Sequence, residues 1–463
     1  MKEQSTKKSK KTKIITRDNN HLVDKLYKKR YLSARAKFFI ALIGAILWVG
    51  LSLVISHRWY LDLSALAGPF GAALIVIGVA YIPGFMNAFL LISLLLDRQP
   101  QLINIEDVHD KISVLIAAYN EEDSIYEALS YLKKQRYAGP LKIIVVNNNS
   151  TDNTAAEVAR AREELGLDIL LVNEPEQGKF HALNKGLKYI KTKFFISLDA
   201  DTLVHPDAIV YLVARMKASS HEVCAVAGSV LAENSRDNLL TRFQEWDYFL
   251  SIASIKRMQG MYQGTLVAQG AFSLYQTKTV RAIGGWSDAI GEDIVFTWKM
   301  LRGNAKVYFE PFAVAFTTVP VTMRAFVKQR ARWARGMIEG LREVKPWQQP
   351  ALYQKFSTGI DLLIPLIDFC YTVFWIPGLI AAVFFQNYAI VGPMALLVLP
   401  LTLACFSILY FFQLNVVFKR LNLKVRKNFV GFLVFMVAYQ AIMSTVSLYG
   451  YAQELFHTKR IWK

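Results

Sequence analysis

The chain has 463 residues, 53% of them hydrophobic, and a formal net charge of +18. So much apolar content, gathered in long runs near both ends, excludes a disordered chain and an ordinary soluble enzyme. The basic residues cluster in an N-terminal stretch and beside the apolar runs, which argues for anionic lipid, and against nucleic acid, as their partner.

Residues 1–35 form a basic tail; before residue 38 there are 13 Lys/Arg against 3 acids. The tail is too long and too polar to open a cleavable signal peptide, and it is expected on the cytoplasmic side. Residues 36–97 hold two runs, 36–56 and 65–96, each long enough to cross a bilayer. The second is expected to tilt or break at its Pro and Gly residues. Two crossings return the chain to the cytoplasm, so residues 98–320 are expected as a cytosolic domain. An amphipathic segment at 321–358 then precedes about three further spans within 359–463, in the runs 359–385, 388–417 and 428–452. A fifth crossing puts the basic end "HTKRIWK" outside, against the positive-inside rule. The reading is a multi-pass protein of the plasma membrane. Cys224, Cys370 and Cys405 show neither metal spacing nor a disulfide framework.

Within the polar domain, "KISVLIAAYNEE" is a short apolar run ending in polar residues, and "EDSIYEALSYLKKQ" sets Ile125, Ala128, Leu129 and Leu132 at helical spacing. "LKIIVV" is a second strand. The helix after it has Ser150, Thr151 or Asp152 as N-cap candidates. "LDILLV", "KFHALNKGLKYIK" and "KFFISL" continue as strand, helix and strand. This alternation predicts βαβ units and a largely parallel sheet. Such sheets bind ligands beyond the carboxyl ends of their strands, here Tyr119–Asn120–Glu121, Asn147–Asn148–Asn149, Asn173–Glu174 and Asp199–Ala200–Asp201. Neither G-x-G-x-x-G nor a P-loop is present, which argues against the usual dinucleotide and ATP sites.

"SLDADT" places Asp199 and Asp201 two apart at a strand end. In extended chain such residues point the same way, so both carboxylates face one ligand. A hard divalent cation beside a nucleotide diphosphate needs such a pair, with phosphate oxygens completing its shell. Two solvated loop aspartates would read the same in isolation. "GEDIVFTWK" puts Glu292 and Asp293 at the start of a helix-like stretch, where acids also favour the helix terminus by themselves. In "VKQRARWARG", Gln329, Arg332 and Trp333 share one helix face, with Arg330 and Arg335 pointing elsewhere. A guanidinium suits a diphosphate, and an indole offers a flat apolar face to a sugar ring. The same segment, with five Lys/Arg and no acid in 323–335, also fits a basic helix on a membrane surface. The stretch 241–258 mixes aromatics with charge and reads equally as an interfacial or a surface helix. Asp361 and Asp368, seven apart in an apolar run, are candidates for lining a polar path.

"YNE", "GKFHALNKG", "DAD", "GED" and "QRARW" follow one another here as they do in the membrane-integrated, processive family-2 glycosyltransferases. The chain resembles those cellulose, chitin, hyaluronan and poly-N-acetylglucosamine synthases over roughly residues 110–340 and in its flanking spans. The resemblance implies an α/β glycosyltransferase A-type (Rossmann-like) cytosolic domain inserted between transmembrane helices. It implies that Tyr119 and Glu121 lie near the nucleotide's base and ribose, and that Lys179 and Asn184 lie by the nucleotide. Asp199 and Asp201 would contact the sugar nucleotide and hold Mg2+ or Mn2+. Asp293, with Glu292 beside it, would be the catalytic base; Arg332 would bind the diphosphate, and Gln329 and Trp333 the acceptor's terminal sugar. A single displacement from a UDP-sugar would then invert the anomeric centre and give a β-linkage.

"EDIVFTWK" is most like the corresponding run of poly-β-1,6-N-acetylglucosamine synthases. That implies UDP-N-acetylglucosamine as donor, a growing polysaccharide as acceptor and export across the bilayer, and it leaves room for a small accessory membrane subunit. A cellulose-, hyaluronan- or chitin-type synthase with another donor, and non-processive transfer of one sugar to a lipid, stay open. Gly291 stands where that group carries Thr. Asn148 stands where the family carries the Asp that accepts from uracil N3–H; an amide oxygen can accept the same bond.

Overall fold

The computed structural model describes residues 32–97, 103–424 and 426–458. Most of the expected basic tail and the final basic residues lie outside them. At the centre is an eight-stranded sheet in the order β3-β2-β1-β4-β7-β6-β8-β5. Strands β1 (Ile112–Ala118), β2 (Leu141–Asn147), β3 (Ile169–Asn173) and β4 (Phe194–Asp199) run parallel, as their alternation with helices requires. Strand β7 (Phe272–Gln276) runs antiparallel to both β4 and β6 (Val223–Ala232). Beyond β6 lie β8 (Lys306–Thr317) and the short β5 (Leu203–Val204).

Register decides where the ligand edge falls. Ala118 pairs with Asn147, Asn147 with Asn173, and Ala117 with Asp199. The polar ends of all four parallel strands therefore stop at one edge. Alternate strand residues face opposite cores. Val114, Ile116, Val145 and Ile196 pack with Ile125 and Leu129 on one side. Leu115, Ile144, Val146 and Phe195 pack with Leu183, Phe296 and Trp298 on the other. Burial on both faces explains why these strands read as nearly continuous apolar runs.

Helix Ile125–Lys133 buries Ile125, Ala128, Leu129 and Leu132, the face its spacing marks. The next helix, Thr154–Leu165, starts later than expected, with Asn153 at its N-cap. The three expected caps serve the loop after β1, and Asp152 Oδ1 also accepts from Thr154 N, the first of the helix, at 3.0 Å. Asn120 N donates to Ser150 Oγ (3.1 Å), Thr151 N to Asn120 Oδ1 (2.8 Å), and Glu122 N to Asp152 Oδ2 (3.1 Å).

Among the described residues, five helices are long and apolar enough to cross a membrane: Ala34–Ile55, His57–Leu96, Leu352–Phe385, Leu397–Phe418 and Phe429–Leu455. The second has 40 residues, about 60 Å at helical rise against a hydrocarbon core of about 30 Å. It breaks at Gly68, whose φ of 71° leaves the helical region just before Pro69. Two spans precede the sheet domain and three follow it. The last is clamped to helix Met323–Glu343 by Glu454, which pairs with Arg342 at 2.7 Å and Arg335 at 3.3 Å. Arg257 Nε meets Asp97 Oδ2 at 2.6 Å beside the second span.

Candidate active site

The three consecutive asparagines each do separate work at the ligand edge. Asn147 Oδ1 accepts from Ser150 N at 3.2 Å, closing the turn. Asn149 adopts a left-handed φ of 57°, which asparagine tolerates better than most side chains. Asn148 is fully buried. Its Nδ2 donates to the carbonyls of Glu174 (3.3 Å) and Glu176 (2.5 Å), and its Oδ1 accepts from Gly178 N at 2.8 Å. Its amide thereby braces the 174–178 loop. The brace also explains the absence of a carboxylate, which cannot donate to two carbonyls.

Asn184 is engaged in a similar way. Its Nδ2 donates to Trp286 O at 2.7 Å and its Oδ1 accepts from Trp286 N at 2.9 Å, so it braces the loop at Trp286. Tyr119 and Glu121 stay at the edge, half-buried. Tyr119 Oη accepts from Gln177 Nε2 at 3.0 Å, and Glu121 Oε2 accepts from Ser124 Oγ at 2.7 Å.

Asp199 ends β4, and Asp201 lies in a turn closed by Thr202 N on Asp199 O at 3.1 Å. The turn, not an extended strand, sets the pair's geometry. Burial, together with the nearby charges of Asp199 and Glu121, pushes Asp201 up to about 6. That excess of negative charge is what a cation would relieve, so the pair fits one. No group of three or more His, Cys, Asp or Glu among the described residues could hold a metal. An ion there would take its remaining ligands from phosphate or water.

Lys179 opens helix Lys179–Leu187. Its Nζ lies 2.8 Å from Asp199 Oδ1 and 3.2 Å from Glu292 Oε1, joining D-x-D to E-D. Burial draws the ammonium down, but Asp199 and Glu292 outweigh it and hold Lys179 above the ordinary lysine range. A Cβ on Gly270 would stand 2.8 Å from the same Nζ, so that glycine lets the lysine pass.

Glu292 and Asp293 start helix Glu292–Arg302. Burial raises Glu292, opposed by Lys179 and also by Arg332, whose charge reaches it from the next motif. Asp293 Oδ1 accepts from Ile294 N at 2.9 Å. On helix Met323–Glu343, Gln329 Oε1 is buried with no hydrogen-bond partner. Arg330 does not turn away as the helical spacing suggests; it packs into the protein beside Trp333. It is 1% exposed, pairs with Asp247 at 2.8 Å, and stacks 4.0 Å from the Trp333 ring centre. Trp333 is half-buried, edge-on to Tyr248 with ring centres 6.3 Å apart.

The structure thus gathers Lys179, Asp199, Asp201, Glu292, Asp293 and Arg332 around one edge, with Gln329 and Trp333 beside it. Residues not foreseen include Gly270, Asp247, Tyr248 and Lys256. Asp247 and Lys256 carried a signal, as charges inside a helix with a strong apolar side.

Residues 109–336 match the model described as "Glycosyltransferase like family 2". They form a family-2 glycosyltransferase domain. The domain also aligns with curated relatives called poly-beta-1,6-N-acetyl-D-glucosamine synthase. In Staphylococcus aureus (strain MSSA476) the identity is 34% over 243 residues, 52% of this chain and 57% of the relative. In Staphylococcus epidermidis it is 32% over 226 residues, 49% and 54%. The chain therefore spans little more than half the length of the curated relatives it matches. Among solved structures, the mannosyltransferase PcManGT from Pyrobaculum calidifontis, in complex with GDP-Man and Mn2+, has a TM-score of 0.58 at 19% identity, covering 84% of this chain and 98% of that one. It shares the fold.

Proposed function

We propose that the protein is an inverting, processive polysaccharide synthase of the plasma membrane. It would extend a β-linked polymer from UDP-N-acetylglucosamine on the cytoplasmic face and pass it across the bilayer. The names of the staphylococcal relatives support the sugar and the linkage class. The observation that carries the reading is Lys179, whose ammonium touches Asp199 and Glu292 at once and so ties the donor end to the transfer end.

Tyr119 and Glu121 border the nucleotide, and the 174–178 loop braced by Asn148 borders its base. Asp199 and Asp201 would hold Mg2+ or Mn2+, which supplies charge neutralisation to the diphosphate. Lys179 and Arg332 bring positive charge to where the leaving diphosphate gains negative charge. Asp293 takes the proton from the attacking hydroxyl on the opposite side of the anomeric carbon. Trp333 and Gln329 hold the acceptor sugar, one by its apolar face and the other through its amide. Residues 98–320 would be the cytosolic unit, with 321–358 at the interface and the spans on either side.

Purified full-length protein supplied with Mg2+ or Mn2+ and single UDP-sugars tests this through UDP release and digestion of the product by linkage-specific hydrolases. Asp293→Asn should abolish transfer and still bind UDP. Retained turnover by that variant overturns the base assignment.

A further inference from the structure

The helical stretch 239–261 runs past the site and is continuous from helix Leu239–Trp246, through a π-helical segment at Asp247–Ile252, to helix Ala253–Met261. Irregular turns of this kind recur at functional sites. Near its middle, Tyr248 stands edge-on to Trp333 and feels the charge of Asp201. Two turns on, Lys256 is only 8% exposed. Among the described residues it makes no hydrogen bond and no ion pair, and the charge that acts on it is that of Asp293. Other cations around the site are paired: Lys179 with Asp199 and Glu292, Arg330 with Asp247, and Arg257 with Asp97. Gln259, one turn further on, is already engaged by Leu266 N at 3.1 Å.

A buried ammonium without a partner is unfavourable, and an apolar residue of its size would be better tolerated there unless a ligand meets it. Its place decides which ligand. It lies on the helical stretch whose Tyr248 stands edge-on to the Trp333 ring, and the charge that acts on it is that of Asp293. Resting on the glycosyltransfer reading above, we propose that Lys256 is an acceptor-binding residue, donating a hydrogen bond to an oxygen of the sugar whose hydroxyl is presented to Asp293. The ligand class is a neutral glycan end, rich in hydroxyl and N-acetyl carbonyl oxygens. Burial, opposed by Asp293, brings the ammonium down to about 7. The side chain can therefore serve a neutral partner without demanding a counter-charge.

The test uses the full chain in detergent with UDP-N-acetylglucosamine and added chito-oligosaccharide as the acceptor probe. Lys256→Met should raise the KM for chito-oligosaccharide about tenfold or more, the loss of one charge-assisted hydrogen bond. The Kd for UDP should stay within about twofold, since this single contact lies on the acceptor side. Lys256→Gln, which keeps an N–H donor, should recover part of the lost KM. An unchanged KM in both variants overturns the proposal. So does a parallel rise in the Kd for UDP, which would make the lysine a donor-site or purely structural group. Wild-type protein that consumes no UDP-sugar overturns the underlying glycosyltransfer reading as well, so the wild-type reaction tells the two failures apart.

Discussion

Gly291 and Gly336 meet backbone to backbone: a Cβ on Gly336 would stand 2.6 Å from Gly291 Cα. This contact brings the helix bearing Gln329, Arg332 and Trp333 against the N-terminus of the helix bearing Glu292 and Asp293. Gly291 N is further held by Glu339 Oε2 at 3.0 Å, from the same long helix. The glycine that departs from the Thr of similar synthases is thus half of a helix contact.

Gly336→Ala should separate the two helices. The expected cost is about 1–3 kcal/mol of stability, as for other overpacked contacts. Turnover should fall about a hundredfold through displacement of Asp293 from Arg332 and Trp333. Thermal unfolding in detergent and UDP release measure the two effects. Wild-type turnover would show that the helices can part without harm.

Asn148→Asp should weaken the protein. The carboxylate would be buried, would lose both donations to Glu174 and Glu176, and would leave those carbonyls unmet. A loss of about 1–3 kcal/mol is expected, with weaker UDP binding as the 174–178 loop loosens. Calorimetric titration of UDP into the variant checks the second effect, and tighter binding would contradict the brace.

Lys256 gives a pH signature. Its folded value near 7 lies below that of an unfolded lysine. Between about pH 7 and pH 10 the unfolded chain therefore holds a proton that the folded chain has released, and stability from this group rises with pH. Melting temperatures of wild type and Lys256→Met across that window should differ in slope, the variant being flatter. Parallel slopes would contradict the burial of a free ammonium.

Glu454→Gln removes the carboxylate that joins Arg335 and Arg342 to the last membrane helix. Arg335 is 6% exposed and would be left as an unpaired charge, costing about 3 kcal/mol. The same change should lower turnover, because the Gln329 helix rests on that span. Unfolding and UDP release report both.

The parallel half of the domain was legible because its cause is local. Strand runs buried on both faces, amphipathic helices and polar strand ends repeat in chain order, and Ile125, Ala128, Leu129 and Leu132 face inward as their spacing requires. The five apolar spans were legible for the same reason, since length and composition alone set whether a helix can cross a bilayer. Helical periodicity puts Gln329, Arg332 and Trp333 on one face, but it did not foresee Arg330 packed on the Trp333 ring.

What an amide or a glycine does depends on neighbours far away in sequence, and there periodicity says nothing. Asn148 and Asn184 looked ready for a ligand, but hydrogen-bond partners at Glu174, Glu176, Gly178 and Trp286 take them. The D-x-D pair sits in a turn whose closing bond is invisible in an alternation pattern. Sequence by itself determined the fold class, the spans and a set of candidate side chains, because these rest on local pattern and composition. Only the tertiary structure decided which of those side chains share a site. That choice rests on strand register, the Gly291–Gly336 contact and the reach of Lys179 between two carboxylates, each joining residues that the chain holds far apart.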